Sequence, residues 1–136
     1  MYVIGKQYSR NDIYNVLKIP TDRRGADWLN GYHRHKNDYY IFCNVGEPGR
    51  TGHDYPNRWE GPILTWHGKN KSHYGQTSVQ NLISGEYRVL VFYRISNRDP
   101  FTFAGLGRPI PHSNTKDPVR IDWRFTSEKA VPVTAN

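Results

Sequence analysis

The sequence predicts an α+β domain: a curled, barrel-like β-sheet with two short helices. Three observations carry that prediction. About six or seven segments have the length and composition of strands. Only two segments combine helical spacing with recognisable ends. Aromatic residues make up 14% of the chain, including 10 Tyr and 4 Trp, a load that favours pleated structure and stacking surfaces. Many short strands with few helices bury their apolar faces best by curling the sheet on itself. At 136 residues the chain is long enough for one domain with a real core. That domain is expected over residues 1–126, with residues 127–136 as a tail or linker.

Taken in order, Ser9-Arg10-Asn11-Asp12 opens a helix as a capping box. Ile13, Val16 and Leu17 follow at helical spacing and Pro20 stops the element, giving a helix at about residues 9–19. Residues 21–27 read as a charged loop and residues 28–32 as a strand. Lys36-Asn37-Asp38 is a turn, and residues 39–45 form a strongly apolar strand. Residues 46–61, rich in Gly, Pro, Asn and Asp, are too long for a hairpin turn and have the character of a functional loop. Residues 62–66 read as a strand, followed by a polar, basic stretch to Gln76. Thr77 or Ser78 caps a short helix through Val79, Leu82 and Ile83, with Gly85 at its end. Residues 87–94 are the plainest strand, and their weak alternation predicts burial on both faces. Residues 101–105 and 119–125 complete the set; the second alternates, placing Val119, Ile121, Trp123 and Phe125 on one face.

The formal charge of +7 directs attention to a polyanionic partner, most often nucleic acid. The cations are spread along the chain and form no tail-like run. No stretch approaches the roughly 18 consecutive apolar residues of a membrane-spanning helix, and the start of the chain lacks the marks of a signal peptide, so a cytoplasmic location is expected. The one cysteine, Cys43, lies in an apolar run; it excludes an internal disulfide and a cysteine-based zinc site.

Enzymatic motifs are thin. There is no phosphate-binding Gly-rich loop and no G-x-S-x-G elbow. His67, Asn70 and His73 carry the letters of an HNH nuclease at a spacing far too tight for that unit. His33 and His35 share a strand face as a metal pair would, without the carboxylates to complete a site. Asp54 and Glu60 read first as solvated loop acids. Neither a metal nor a cofactor is expected.

A binding surface is better supported. Residues 50–80 interleave cations, amides and rings: Arg50, His53, Tyr55, Arg58, Trp59, Trp66, Lys69, Asn70, Lys71, His73, Tyr74, Gln76 and Gln80. Cations hold phosphates, amides read base edges and rings stack on bases. Lys69 to Ser72 also precede a helix N-terminus, a natural phosphate seat. For Trp66, core residue and pocket wall are equally good readings.

From Gly31 to Phe125 the order of pieces resembles the SRA (SET- and RING-associated) domain, a PUA-like barrel that reads modified DNA. The apolar strand before the Gly-rich loop, Leu64-Thr65-Trp66, Gly68, Gln80-Asn81-Leu82 and the strand 87–94 follow in the family's order. Phe101-Thr102-Phe103-Ala104-Gly105-Leu106-Gly107-Arg108 is similar to the family's Tyr-Asp-Gly strand, with Phe103 and Ala104 replacing the tyrosine and aspartate. The likeness is closer to SRA-like domains attached to nucleases in bacterial modification-dependent (type IV) and HNH-type restriction systems. The motifs that carry it are Gly49-Arg50-Thr51-Gly52-His53-Asp54-Tyr55, Arg58-Trp59-Glu60-Gly61, Trp66-His67-Gly68-Lys69-Asn70 and Phe101-Thr102-Phe103.

The resemblance implies recognition of a flipped, modified cytosine (5-methyl or 5-hydroxymethyl) in double-stranded DNA. The base would stack between rings while a carboxylate accepts from its amine. On this basis Asp54 is the carboxylate with Glu60 in reserve, Trp66 one ring and Tyr55 or Trp59 the other, with Phe42 also assigned to the pocket. Arg50, Arg58, Lys69 and Lys71 hold the backbone, with His53, Asn70 and His73 beside them, and Gln76 or Arg34 fills the gap in the duplex. The domain itself is expected to be no enzyme; cleavage would come from a fused or associated nuclease. Two rivals stand beside this reading: a barrel that binds RNA or unmodified DNA by shape, and a metal-dependent nuclease using Asp54, Glu60 and a histidine.

Overall fold

The N-terminal helix forms where its ends predict it. In α1 (Arg10–Leu17) the Ser9 hydroxyl accepts from the Asp12 amide at 3.0 Å and the Asp12 carboxylate accepts from the Ser9 amide at 2.8 Å, closing the capping box. Lys18 turns left-handed to end the helix. A computed structural model describes residues 1–25, 28, 31–46, 57–68, 72, 74–110 and 119–133. The remaining elements are β1 (Tyr2–Val3), β2 (Gln7–Tyr8), a 3-10 turn (Thr21–Arg23) within the expected charged loop, β3 (Tyr32–His35), β4 (Asp38–Asn44), β5 (Arg58–Glu60), β6 (Ile63–His67), α2 (Thr77–Ser84), β7 (Arg88–Arg94), β8 (Phe101–Ile110), β9 (Arg120–Phe125) and β10 (Ala130–Val131). None of the described helices is long and apolar enough to cross a membrane.

The main sheet runs β3-β4-β7-β8-β9-β6-β5, with β2 added to β8, and β1 and β10 form a separate pair. β4 and β7 run parallel, while the other ladders are antiparallel. β4 and β7 carry the near-continuous apolar runs of strands covered on both faces. Alternation sends Tyr40, Phe42, Leu90 and Phe92 into a core beneath α1, and Tyr39, Ile41, Cys43, Val89 and Val91 into a second core on the other side. The second core also takes Leu64, Trp66, Ile121 and Trp123 from β6 and β9, and Val79 and Leu82 from α2.

The sheet curls around that second core. Tyr32 on the edge strand β3 meets Trp66 on β6 with ring centres 5.5 Å apart. Beyond the end of β4, the Gly46 amide donates to the Asn57 carbonyl at 3.1 Å, just ahead of β5. Among the described residues no ladder joins β3 to β5, so the path is open. The expected β-rich fold with two helices is present; barrel closure is not. β8 makes the bend, pairing with β7 over Thr102–Leu106 and with β9 over Gly107–Ile110. Gly105 takes a φ of +121° there, and a Cβ on Gly107 would lie 2.8 Å from Cε3 of Trp123.

Several boundaries differ from expectation. Residue 28 lies in no strand: Trp28 is buried against α1 and donates its amide to the Gly25 carbonyl at 2.8 Å. Gly31, with a φ of +90°, separates it from β3. Arg58–Glu60, expected within a loop, pairs with β6 because Trp59 lies opposite Leu64 and joins its core. The N-cap of α2 is Gln76, without a side-chain cap bond, rather than Thr77 or Ser78; Gly85 ends the helix as expected, left-handed at φ 78°. Residues 130–131, expected within a tail, pair with β1, and Val131 is fully buried opposite Tyr2.

Candidate nucleic-acid interface

The segments richest in predicted contact residues leave and re-enter the fold along one rim. Asn57 is its clasp. Its side-chain amide donates to the Asn44 carbonyl at 3.2 Å, and its side-chain oxygen accepts from the His67 amide at 2.7 Å. The exit of β4, the entry to β5 and the end of β6 are thereby fixed together. The entry to β9 joins them, because His67 pairs with Arg120 and the Gly68 amide donates to the Val119 carbonyl at 2.8 Å.

The rim is reinforced from below. The buried Ser72 hydroxyl accepts from the Val119 amide at 3.0 Å. The Tyr74 hydroxyl donates to the Arg120 carbonyl at 3.0 Å and accepts from its amide at 3.1 Å. Gly68 is required at this point, since a Cβ there would sit 2.8 Å from the Ser72 Oγ. Arg50, His53, Asp54, Tyr55, Lys69, Asn70, Lys71 and His73 lie outside the described residues. The chain reaches their segments from Gly46 and Gly68 and returns from the first at Asn57, so the anchors of both segments belong to this one rim.

The described members of the expected pocket do not come together. Trp66 is 2% exposed and packs against Tyr32 and Trp123, so of its two readings the core one holds. Phe42 belongs to the other core, stacked on Phe92 at 5.4 Å beneath α1. The sheet therefore separates Phe42 from Trp66, and the two cannot be opposite walls of one base slot. Trp59 is half-buried, with its ring 5.3 Å from Tyr93 and 5.4 Å from Phe125. Glu60, its chain neighbour, projects to the other face of β5, where it is exposed and paired with Arg58 at 2.9 Å.

Among the expected backbone contacts, Arg58 adjoins the rim and is exposed, though engaged by Glu60. Gln76 is half-buried at the start of α2. Arg34 is elsewhere: it packs over Tyr87 at 4.9 Å, with Nε donating to the Lys36 carbonyl at 2.8 Å, by the β3–β4 turn. It lies opposite Tyr39, about 17 Å along β4 from Asn44. His33 and His35 pack on Trp28, with ring centres 4.2 Å and 6.2 Å away, which accounts for their shared face without a metal. Among the described residues no three His, Cys, Asp or Glu are grouped to hold a metal ion.

Burial lowers the His67 pKa, and the neighbouring Arg120 and Arg58 guanidinium groups lower it further. Asp122, paired with Arg120, acts in the opposite direction. Sequence reasoning missed Asn57 altogether, and it read Ser72 and Tyr74 as part of the contact surface where they serve as supports for the entry to β9. Their polar side chains gave no periodic signal, and their role depends on strand ends that are remote in sequence.

A family model described as "Domain of unknown function (DUF3427)" matches residues 2–133. No curated protein matches the sequence. Among solved structures the chain is similar to the DNA modification-dependent restriction endonuclease AspBHI, at 13% identity and a TM-score of 0.60, covering 96% of this chain and 78% of that one. It is also similar to the SRA domain of SUVH5 in complex with methylated CHH DNA, at 17% identity and a TM-score of 0.56, covering 97% and 94%. The same domain bound to fully hydroxymethylated CG DNA aligns at 15% identity and a TM-score of 0.55, covering 97% and 95%. At these identities the likeness establishes an SRA-like fold.

Proposed function

Because the chain belongs to the family described as Domain of unknown function (DUF3427) and has an SRA-like fold, we propose that it is a DNA-binding specificity module for a modified cytosine in duplex DNA. The observation that carries this reading is the fold shared over nearly the whole chain with domains whose structures contain methylated or hydroxymethylated DNA. The single rim that anchors the segments bearing Asp54 and Lys69–Lys71 supports it, as does the net charge of +7.

In this reading the modified base leaves the duplex and enters a pocket at the rim, with Asp54 accepting from its amine. Unstacking costs a few kcal/mol, which stacking and hydrogen bonds in the pocket offset. With Trp66 inside one core and Phe42 inside the other, the ring partners are Tyr55 and Trp59. The domain performs no cleavage; strand scission belongs to a fused or associated nuclease of a modification-dependent restriction system.

The test is binding to one duplex carrying cytosine, 5-methylcytosine, 5-hydroxymethylcytosine or glucosylated cytosine. It is run at about 0.15 M salt, where non-specific contacts are weakened. A preference for one modified duplex that is lost in Asp54→Asn supports the reading. Equal affinity for all four sinks it in favour of a general nucleic-acid binder. Cutting of the duplex with added Mg²⁺ or Mn²⁺, abolished by Asp54→Asn, would make the chain a nuclease.

A further inference from the structure

We propose that Arg108 and Arg124, on the outer face of β8 and β9, seat phosphate groups of the DNA backbone away from the base pocket. The inference rests on the chain being a DNA binder and adds a contact surface to that reading. Arg108 and Arg124 are direct cross-strand partners. Ile121 and Trp123 point into the core, so alternation sends Arg120, Asp122 and Arg124 outward. Gly107 faces Trp123, which places Arg108 on the same outer face.

Both arginines are exposed, and neither has an ion pair or hydrogen bond among the described residues. Their acidic neighbours on this face are already engaged. Asp122 accepts from Arg120 through both oxygens, at 3.1 and 3.3 Å, and Glu60 is held by Arg58. Like charges directly opposite each other on a sheet are destabilising. Folding alone gives no reason for this pair, whereas an anion between the two guanidinium groups turns repulsion into a two-sided clamp. Planar, bidentate donors suit a phosphate.

The position favours a duplex over an isolated anion. Arg124 lies about 13 Å along β9 from Arg120, and Arg120 pairs with His67 at the rim. A duplex seated at the rim and lying across the outer face would bring successive phosphates within reach of these side chains. An acidic protein segment is the competing partner.

The experiment measures affinity for modified and unmodified duplexes over a range of salt concentrations in the intact protein, Arg108→Gln and Arg124→Gln. Both substitutions are at exposed sites, and melting temperatures at low salt should be unchanged or raised, since the repulsion is relieved. The expected result is an equal loss of affinity for both duplexes. The slope of log affinity against log salt should become shallower by about 0.9 for each arginine removed. Wild-type affinity and slope in folded variants would overturn the proposal, as would loss of polyglutamate binding with DNA binding intact. If the unaltered protein binds all duplexes equally while the slope falls in the variants, base reading fails and the phosphate seat stands. If the modified-base preference is retained and the slope does not move, the seat fails and base reading stands.

Discussion

Asp38 on β4 and Arg88 on β7 face each other in register across the parallel ladder, joined by two hydrogen bonds of 2.8 Å from Nε to Oδ1 and from Nη2 to Oδ2. The aspartate side chain is 3% exposed and the arginine side chain 32%. Arg88 also donates to the Pro132 carbonyl at 2.9 Å, so the pair ties the central sheet to the chain that follows β10. Removing the aspartate leaves the half-buried Arg88 guanidinium without its carboxylate, which is the costly way to break such a pair. Asp38→Asn should lower stability by about 2–3 kcal/mol, at the low end for a buried pair because Arg88 is partly solvated. Urea denaturation at neutral pH measures it, and a change below about 0.5 kcal/mol, typical of an exposed pair, would contradict this account.

Gly107 should tolerate no side chain. Its backbone passes so close to the Trp123 ring that an added Cβ meets Cε3 at 2.8 Å and the Val91 side chain at 3.3 Å. Both neighbours are fully buried, so neither has space to retreat. Gly107→Ala should cost about 1–3 kcal/mol by overpacking, with a matching fall in melting temperature. Gly61→Ala places its Cβ in open space and faces only the strain of a φ of +58°. Equal stability of Gly107→Ala and the unaltered protein would mean that the ring can shift.

These glycines mark what was legible in the sequence. The Phe101 to Arg108 motif carried a family resemblance, and its glycines prove to be where β8 turns from one ladder to the next. The α1 capping box, the doubly buried strand around Leu90 and the alternation of β9 were readable because each is a local periodic pattern. β1, β2 and β10 were not, because strands of two residues are too short for a period; Tyr2 and Val131 find burial only through each other and the main sheet. The site was harder still. That Phe42 and Trp66 fall in different cores depends on how the sheet folds over, and no spacing within either strand encodes it.

Stability should fall as pH drops through the histidine range. Burial lowers the pKa of both His35 and His67 in the folded protein, with Lys36 adding to the effect at His35 and Arg120 at His67. The unfolded chain, with histidines near about 6.5, then binds more protons than the folded one. The neutral-ring contribution is full above that pH and is lost as pH falls through it toward the lower, folded values. Proton NMR titration should place both imidazoles below about 6.5. The urea midpoint should decline over the same interval, less steeply in a His35→Gln/His67→Gln protein. Histidine values above the unfolded reference would reverse the sign and refute the prediction.

Cys43 offers a probe that joins stability to binding. It is 6% exposed on β4, burial pushes its thiol up to about 12, and its Sγ donates to the Phe92 carbonyl at 3.7 Å. Thiolate is the reactive form, so the folded protein should be nearly inert to a disulfide reagent at pH 8, and modification should report the opening of the core. β4 lies between β3 and β7 in the sheet, so that opening is close to global unfolding. Any ligand that binds only the folded state then slows labelling by a factor of 1 + [L]/Kd, which is RT ln(1 + [L]/Kd) in opening free energy. A duplex with the preferred modified cytosine should protect Cys43 more than the same duplex with cytosine, and Asp54→Asn should erase the difference without changing labelling in the absence of DNA. Labelling as fast as that of a free thiol would show that the strand is exposed in solution, contrary to its position between the two cores.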